Sequence, residues 1–209
     1  MTTDDYIASH IDPEPPRLHA LYRRTNLQHL YPRMCSGHVQ GRLLVMLTAM
    51  IKPKRILELG TYTGYSTLCM AEGMPAGATI DTVEVDDQME DELRETFAAD
   101  PRAADINLHI GDAMEVVPTL PGKWDMVFID ANKRLYSQYL DMVIDRINEG
   151  GYIIADNTLW DGHLLDPADI NDAQSRALAE FNDYVAAHPR LSVVILPVRD
   201  GMTIMRVKF

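Results

Sequence analysis

From Arg55 onward the chain alternates short apolar runs with amphipathic stretches. Arg55–Gly60, Thr79–Asp86, Ile106–Ile110, Trp124–Asp130 and Tyr152–Ala155 are strand-length runs rich in Ile, Val and Leu. Between them, Tyr65–Gly73, Gln88–Ala99, Ala113–Leu120 and Tyr136–Ile147 carry helical spacing, and Gly150-Gly151 closes the last of these. Asn171–His188 reads as a further helix, ended by Pro189. This alternation predicts an α/β sheet of buried parallel strands with helices on both faces. The end of the chain differs. Leu191–Val198 and Met202–Phe209 are two strand-like runs with Asp200-Gly201, a tight-turn dipeptide, between them. A C-terminal β-hairpin makes one strand antiparallel. The predicted sheet is therefore mixed and seven-stranded, with the reversed strand near an edge.

Before Arg55 only helical patterns occur. Residues Asp12 to Pro16 hold three prolines, which break an early helix. Pro16–Ile51 is helical, with a loop near Tyr31–His38, and Gly41–Ile51 is apolar enough for a buried helix that Pro53 stops. Residues 1–50 thus read as a helical cap on one domain spanning 1–209, a length that suits a single full core.

Composition narrows the function classes. Hydrophobic residues make up 46% of the chain, too many for a disordered protein. The apolar runs are strand-length, so no membrane span is expected. Met1–Asp5 is acidic and polar, unlike a signal peptide. The formal net charge is -12, which repels phosphate backbones and argues against nucleic acid as a partner. A local exception runs from His19 to Arg33, with Arg17, Arg23, Arg24 and Arg33; it reads as a solvated helix face, or else as a dock for an anionic substrate handle. Cys35 and Cys69 could form one disulfide. The helical setting of Cys69 favours two reduced thiols in a cytoplasmic protein.

In such sheets, ligands bind at the carboxyl ends of strands. The first strand runs into Glu58-Leu59-Gly60-Thr61-Tyr62-Thr63-Gly64-Tyr65-Ser66. Gly60 and Gly64 allow a tight turn and close approach of a ligand. Tyr62 stands where a dinucleotide fingerprint needs its second glycine, and Glu58 would repel a pyrophosphate. The second strand ends with Glu84, whose carboxylate can accept both ribose hydroxyls; the third ends in Gly111-Asp112-Ala113, suited to an adenine edge. The plainer reading is that the glycines only turn the chain and that Asp86 and Asp112 cap helices. Adenine and ribose without phosphate, beside an acidic residue, point to S-adenosylmethionine, whose sulfonium and amine are cationic.

The fourth and fifth strands end at oxygens. Asp130, Asp156 and Asn157 offer three hard ligands with the amine of Lys133 nearby, the chemistry of a divalent cation, magnesium first, calcium or manganese otherwise. The plainer reading is capping, or a salt bridge from these aspartates to Lys133 or Arg134, and for Lys133 an ordinary surface charge. Trp160 could wall a planar acceptor or simply pack. Tyr136 and Tyr139 read as packing against the sheet, and His109 and His163 as structural.

The runs Phe128-Ile129-Asp130-Ala131-Asn132-Lys133-Arg134-Leu135-Tyr136 and Gly150 to Gly162, which includes Asp156-Asn157-Thr158-Leu159-Trp160, resemble the cation-dependent O-methyltransferases, such as the caffeoyl-CoA O-methyltransferases and, more distantly, catechol O-methyltransferase. Met34–Gly41, the Glu58–Ser66 turn and Pro197–Gly201 extend the similarity from about Met34 to the C-terminus. The resemblance implies the Rossmann-like sheet of class I methyltransferases. It implies S-adenosylmethionine near Met34, Ser36, Glu58, Gly60, Tyr62, Ser66, Glu84, Asp112, Ala113 and Asp130. It implies metal ligands Asp130, Asp156 and Asn157, Lys133 and Asp130 as catalytic residues, Trp160 and Lys133 against a catechol-like small molecule, and a homodimer. Asn132 departs from the family's usual Asp. Rival readings are a nicotinamide-dependent oxidoreductase and a non-catalytic cofactor-binding protein. The acceptor stays open between a free catechol, a CoA thioester and another natural product.

Overall fold

A computed structural model of the chain describes residues 3–208. Met1 and Thr2 of the acidic terminus, and Phe209 of the last expected strand, lie outside the described residues. The sheet has seven strands: β1 Arg55–Leu59, β2 Thr79–Glu84, β3 Ile106–Ile110, β4 Trp124–Ile129, β5 Ile147–Asp156, β6 Leu191–Leu196 and β7 Met202–Val207. Their order is β3-β2-β1-β4-β5-β7-β6. β7 is antiparallel to both of its neighbours and the other pairings are parallel, as the hairpin predicts.

The register decides where chemistry can happen. Leu59 pairs with Val83 and with Ile129, and Ile129 pairs with Ala155. Gly60, Glu84, Asp130 and Asp156 therefore leave the sheet in one row. Strand order also reverses between β1 and β4, which opens a crevice there.

The helices are α1 Thr3–Ala8, α2 Pro16–Gln28, α3 Gly37–Ile51, α4 Tyr65–Gly73, α5 Glu90–Ala98, α6 Ala113–Thr119, α7 Tyr136–Ile144 and α8 Ala173–Ala187. Alternation along β4 feeds two cores. Val127 and Ile129 pack with Tyr136, Leu140 and Phe181 of α7 and α8, while Met126 and Phe128 pack on the other face with Leu18, Leu44 and Met70 of α2, α3 and α4. α3 lies tight on α4: a Cβ on Gly41 would stand 2.9 Å from Cys69 Sγ, and one on Gly73 would stand 2.4 Å from the Val45 carbonyl oxygen.

Several expectations are corrected. α7 stops at Ile144, and β5 begins at Ile147, five residues before the expected Tyr152. Gly150-Gly151 does not close a helix. It sits inside β5, where the pairing skips from Trp124–Ile147 to Met126–Tyr152. Gly150 has φ +76, and a Cβ on Gly151 would meet the Asp125 carbonyl oxygen at 2.8 Å, so the irregularity needs glycine. α8 starts at Ala173 because Asp172 caps it, accepting from the Gln174 and Ser175 amides. A short helix, α1, stands where none was expected.

The basic stretch of α2 is not a merely solvated face. Arg17 pairs with Glu72 and the buried Asp100, and Arg24 and His29 both reach Glu92. These bonds fasten α2 to the body of the domain. Cys35 and Cys69 are free and buried, and burial pushes the Cys35 thiol up to about 11. Among the described residues, no helix is long and apolar enough to cross a membrane.

Candidate active site

A cavity of about 710 Å³ opens at the carboxyl ends of β1, β2, β4 and β5. Met34, Ser36, Gly60, Tyr62, Ser66, Glu84, Asp112, Ala113, Asp130, Lys133, Asn157 and Trp160 all line it. Glu58 and Asp156 stand behind that wall rather than in it.

One half of the cavity is built from the turn after β1, Glu84 at the end of β2 and the Gly111-Asp112-Ala113 corner after β3. Gly60 has φ +94, and a Cβ there would fall 2.1 Å from the Asp130 carbonyl oxygen, so only glycine lets β1 and β4 part this closely. Glu84 is locked from the turn: its Oε2 accepts from the amides of Thr61 at 3.1 Å and Tyr62 at 2.7 Å, and its Oε1 accepts from Asp86 at 2.9 Å. Asp112 accepts from the Met114 amide at 2.8 Å, so it caps α6 while facing the cavity. Asp86 caps in the same way, accepting from the Gln88 amide.

Glu58 is the main departure from expectation in this half. It is fully buried and accepts from the hydroxyls of Ser66 at 2.6 Å, Thr82 at 2.6 Å and Thr67. Ser66 stands between it and the cavity. Burial pushes the Glu58 carboxyl up to about 7, against the three hydroxyl donors that favour its charged form.

The other half gathers carboxylates. Lys133 Nζ donates to Asp130 Oδ1 at 2.6 Å and to Tyr136 Oη at 2.7 Å. The Tyr136 hydroxyl lies 3.0 Å from the Asp156 carbonyl oxygen as donor. Asp156 Oδ2 accepts from Gln40 Nε2 at 2.6 Å, and its Oδ1 accepts from the Asn157 amide at 2.9 Å. Burial, then the negative charge of Asp130, pushes the Asp156 carboxyl up to about 6; Lys133, Gln40 and the Asn157 amide pull the other way. Asn157 Nδ2 faces Asp200 Oδ2 at 3.4 Å, which leaves its amide oxygen free of that contact.

This donor set suits a hard divalent cation. Two carboxylates that repel one another in a buried place, beside an amide oxygen, are oxygen ligands of the type such ions take. Among the described residues, no group of three or more His, Cys, Asp or Glu side chains is arranged to hold a metal ion. The salt bridge from Asp130 to Lys133 is also real, so Lys133 is not a free surface charge. Trp160 both lines the cavity and packs on the α7–α8 core. Asn132 caps the turn after β4, accepting from the Arg134 amide at 3.2 Å.

Backbone strain concentrates here. Tyr62, Asn157, Trp160, Asp161 and Arg199 have φ between +48 and +58, and all stand in or beside the cavity wall. Arg33 and Asp161 form an exposed ion pair at 3.1 Å between the loop before α3 and the loop after β5.

Sequence reading missed Gln40, Arg199 and the polar role of Tyr136. Gln40 carried a signal, as a lone amide at the head of an apolar helix. Tyr136 packs as expected, fully buried, yet its hydroxyl holds Lys133.

The sequence pattern of the O-methyltransferase family matches residues 8–208. An O-methyltransferase named ankF from Aspergillus thermomutatus is 31% identical, covering 99% of this chain and 93% of that protein. A caffeoyl-CoA O-methyltransferase from Mesembryanthemum crystallinum is 32% identical over 93% of this chain and 80% of its own. Among solved structures, the SAH-bound methyltransferase PaMTH1 of Podospora anserina superposes with a TM-score of 0.88 at 29% identity, covering 99% of this chain and 94% of that one. TomG of Streptomyces achromogenes, an O-methyltransferase solved with SAM, gives 0.89 at 26% identity, covering 99% and 96%. With a seven-stranded sheet of this order and a family match over nearly its whole length, the chain belongs to the O-methyltransferase family.

Proposed function

We propose that this enzyme transfers a methyl group from S-adenosylmethionine to one hydroxyl of a catechol-like vicinal diol, with a divalent cation, magnesium first, held by Asp130, Asp156 and Asn157. The observation that carries this reading is the placement of Asp130, Asn157 and Lys133 on one side of a cavity, with the Asp156 carboxylate directly behind them, across from the glycine turn after β1. The wall is acidic: Glu84, Asp112, Asp130, Asp161 and Asp200 line it against Arg33 and Lys133. That balance favours a cationic cofactor and a dication. The solved relatives that carry SAM or SAH agree with the cofactor.

In the reaction, an acceptor oxygen donates its electron pair to the methyl carbon. The carbon–sulfur bond breaks, its pair returns to sulfur, and S-adenosylhomocysteine leaves. A dication held by Asp130, Asp156 and Asn157 would supply Lewis acidity that lowers the pKa of the acceptor hydroxyl. Lys133 stands at the acceptor hydroxyl to take its proton at Nζ, with Tyr136 and Asp130 fixing that atom in place. Trp160 offers a flat wall to the ring. Met34 and Ser36 cover the cofactor. A homodimer belongs to the same reading and rests on the family resemblance; a cytoplasmic location rests on the two free thiols, Cys35 and Cys69.

The test is transfer of labelled methyl to catechols and mono-hydroxylated controls, with magnesium and with a chelator. Transfer confined to vicinal diols and abolished by the chelator is the expected result. Equal transfer to the mono-hydroxylated controls would exclude the chelate mechanism.

A further inference from the structure

Arg199 stands in the turn between β6 and β7 with φ +48, a left-handed conformation that favours glycine. An arginine there strains the backbone. Its side chain compensates. Nη1 donates to the carbonyl oxygens of Ser36 at 2.7 Å and Cys35 at 3.1 Å, and to Gln40 Oε1 at 3.0 Å. Nη2 donates to the Arg33 carbonyl oxygen at 2.9 Å. All four acceptors lie in the 33–40 segment, which contributes Met34 and Ser36 to the cavity wall.

The guanidinium also decides how Gln40 is turned. With Oε1 accepting from Arg199, the amide must present Nε2 to its other neighbour, and that neighbour is Asp156 Oδ2 at 2.6 Å. The opposite orientation would aim an amide oxygen at a carboxylate and an amine at a cation. A planar fork with several fixed donors suits this task, whereas a lysine ammonium cannot span the same set.

We infer that Arg199 and Gln40 are positioning residues. Arg199 fastens the 33–36 loop over the cofactor, and through Gln40 it aims Asp156. This rests on the cofactor and metal reading proposed above. Fastening the loop and orienting the metal-side carboxylate are then one event, because a single guanidinium does both.

The test is equilibrium binding, measured by calorimetry on the full chain. Wild-type affinity for S-adenosylhomocysteine is measured first; a failure to bind removes the underlying reading, and this inference falls with it. Arg199→Gly suits the turn backbone and deletes only the side chain. Arg199→Lys keeps both the charge and the strained backbone but loses the fork, so it decides the matter if the glycine variant does not fold. Each is expected to weaken S-adenosylhomocysteine binding about tenfold or more, the loss of one or two charge-assisted hydrogen bonds. Gln40→Leu leaves the three carbonyl bonds of Arg199 in place. It is expected to hold cofactor affinity and cofactor KM within about threefold, while magnesium affinity of the cofactor-bound protein and kcat each fall about tenfold. Wild-type cofactor affinity in a folded Arg199 variant overturns the fastening role. Wild-type magnesium affinity in Gln40→Leu overturns the aiming role.

Discussion

Gln40 Nε2 lies 2.6 Å from Asp156 Oδ2, so an amide on α3 of the N-terminal cap solvates a buried carboxylate at the end of β5. The cap thus completes the acidic half of the cavity. Asp156 would otherwise be short of donors beside Asp130, and a buried carboxylate without partners costs several kcal/mol.

Asp156 is expected to trade stability for function. Its folded carboxyl is raised to about 6, so the ionised form costs stability above that pH and the cost fades as pH falls below it. Asp156→Asn should raise the melting temperature of the cofactor-free, metal-free protein at pH 8. It should also lower turnover by about a hundredfold or more through loss of a ligand. Thermal melts beside a methyl-transfer assay check both halves; a lowered melting temperature at pH 8 would contradict the desolvation argument.

Lys133 holds its amine between Asp130 and the Tyr136 hydroxyl. Lys133→Ala should cut kcat by about 10²–10⁴-fold, the range of a lost acid–base group. Cofactor affinity should change little, because Lys133 is grouped with the acceptor-side residues. Unchanged turnover would remove Lys133 from the chemistry.

Glu58 makes stability depend on pH. Its folded carboxyl is raised to about 7 from an ordinary 4.5 by burial. The folded state therefore binds more protons than the unfolded state between those values, and this group's contribution falls as pH rises through that window. The full effect is on the order of 3 kcal/mol. Glu58→Gln should flatten that part of the stability profile between pH 4.5 and pH 8, measured by urea unfolding of the cofactor-free protein. A variant with the same slope as wild type would show that Glu58 stays ionised in the fold.

Acceptor choice should follow charge. Asp161 lines the cavity, and the run from 161 to 175 that follows carries Asp166, Asp169 and Asp172 and contains no lysine or arginine. Arg33 on the opposite loop is already paired with Asp161. A neutral catechol should therefore exceed caffeoyl-CoA in kcat/KM by about tenfold or more at low salt, with the gap narrowing as salt screens the loop. A preference for the thioester at every ionic strength would refute this.

Much of the fold was legible in the sequence because its signals are local. Strand runs such as Trp124–Asp130, helix periods, Pro53, Pro189 and the Asp200-Gly201 turn each act over a few residues, and they predict the mixed seven-stranded sheet that the structure shows. The row of strand-end residues was legible for the same reason, since parallel register brings Gly60, Glu84, Asp130 and Asp156 to one edge once the strands are known.

What the sequence could not decide depends on partners far along the chain. Gly150-Gly151 reads locally as a helix stop, and only pairing with β4 makes it an irregularity inside β5. Glu58 reads as a pocket residue, and only packing places three hydroxyls around it and Ser66 in front. Gln40 meets Asp156 across 116 residues, and Arg199 meets Ser36 across 163. No local propensity encodes such contacts; they exist because hydrophobic burial draws the cap, the strand ends and the final hairpin to one place, where each buried polar group must then find its partner.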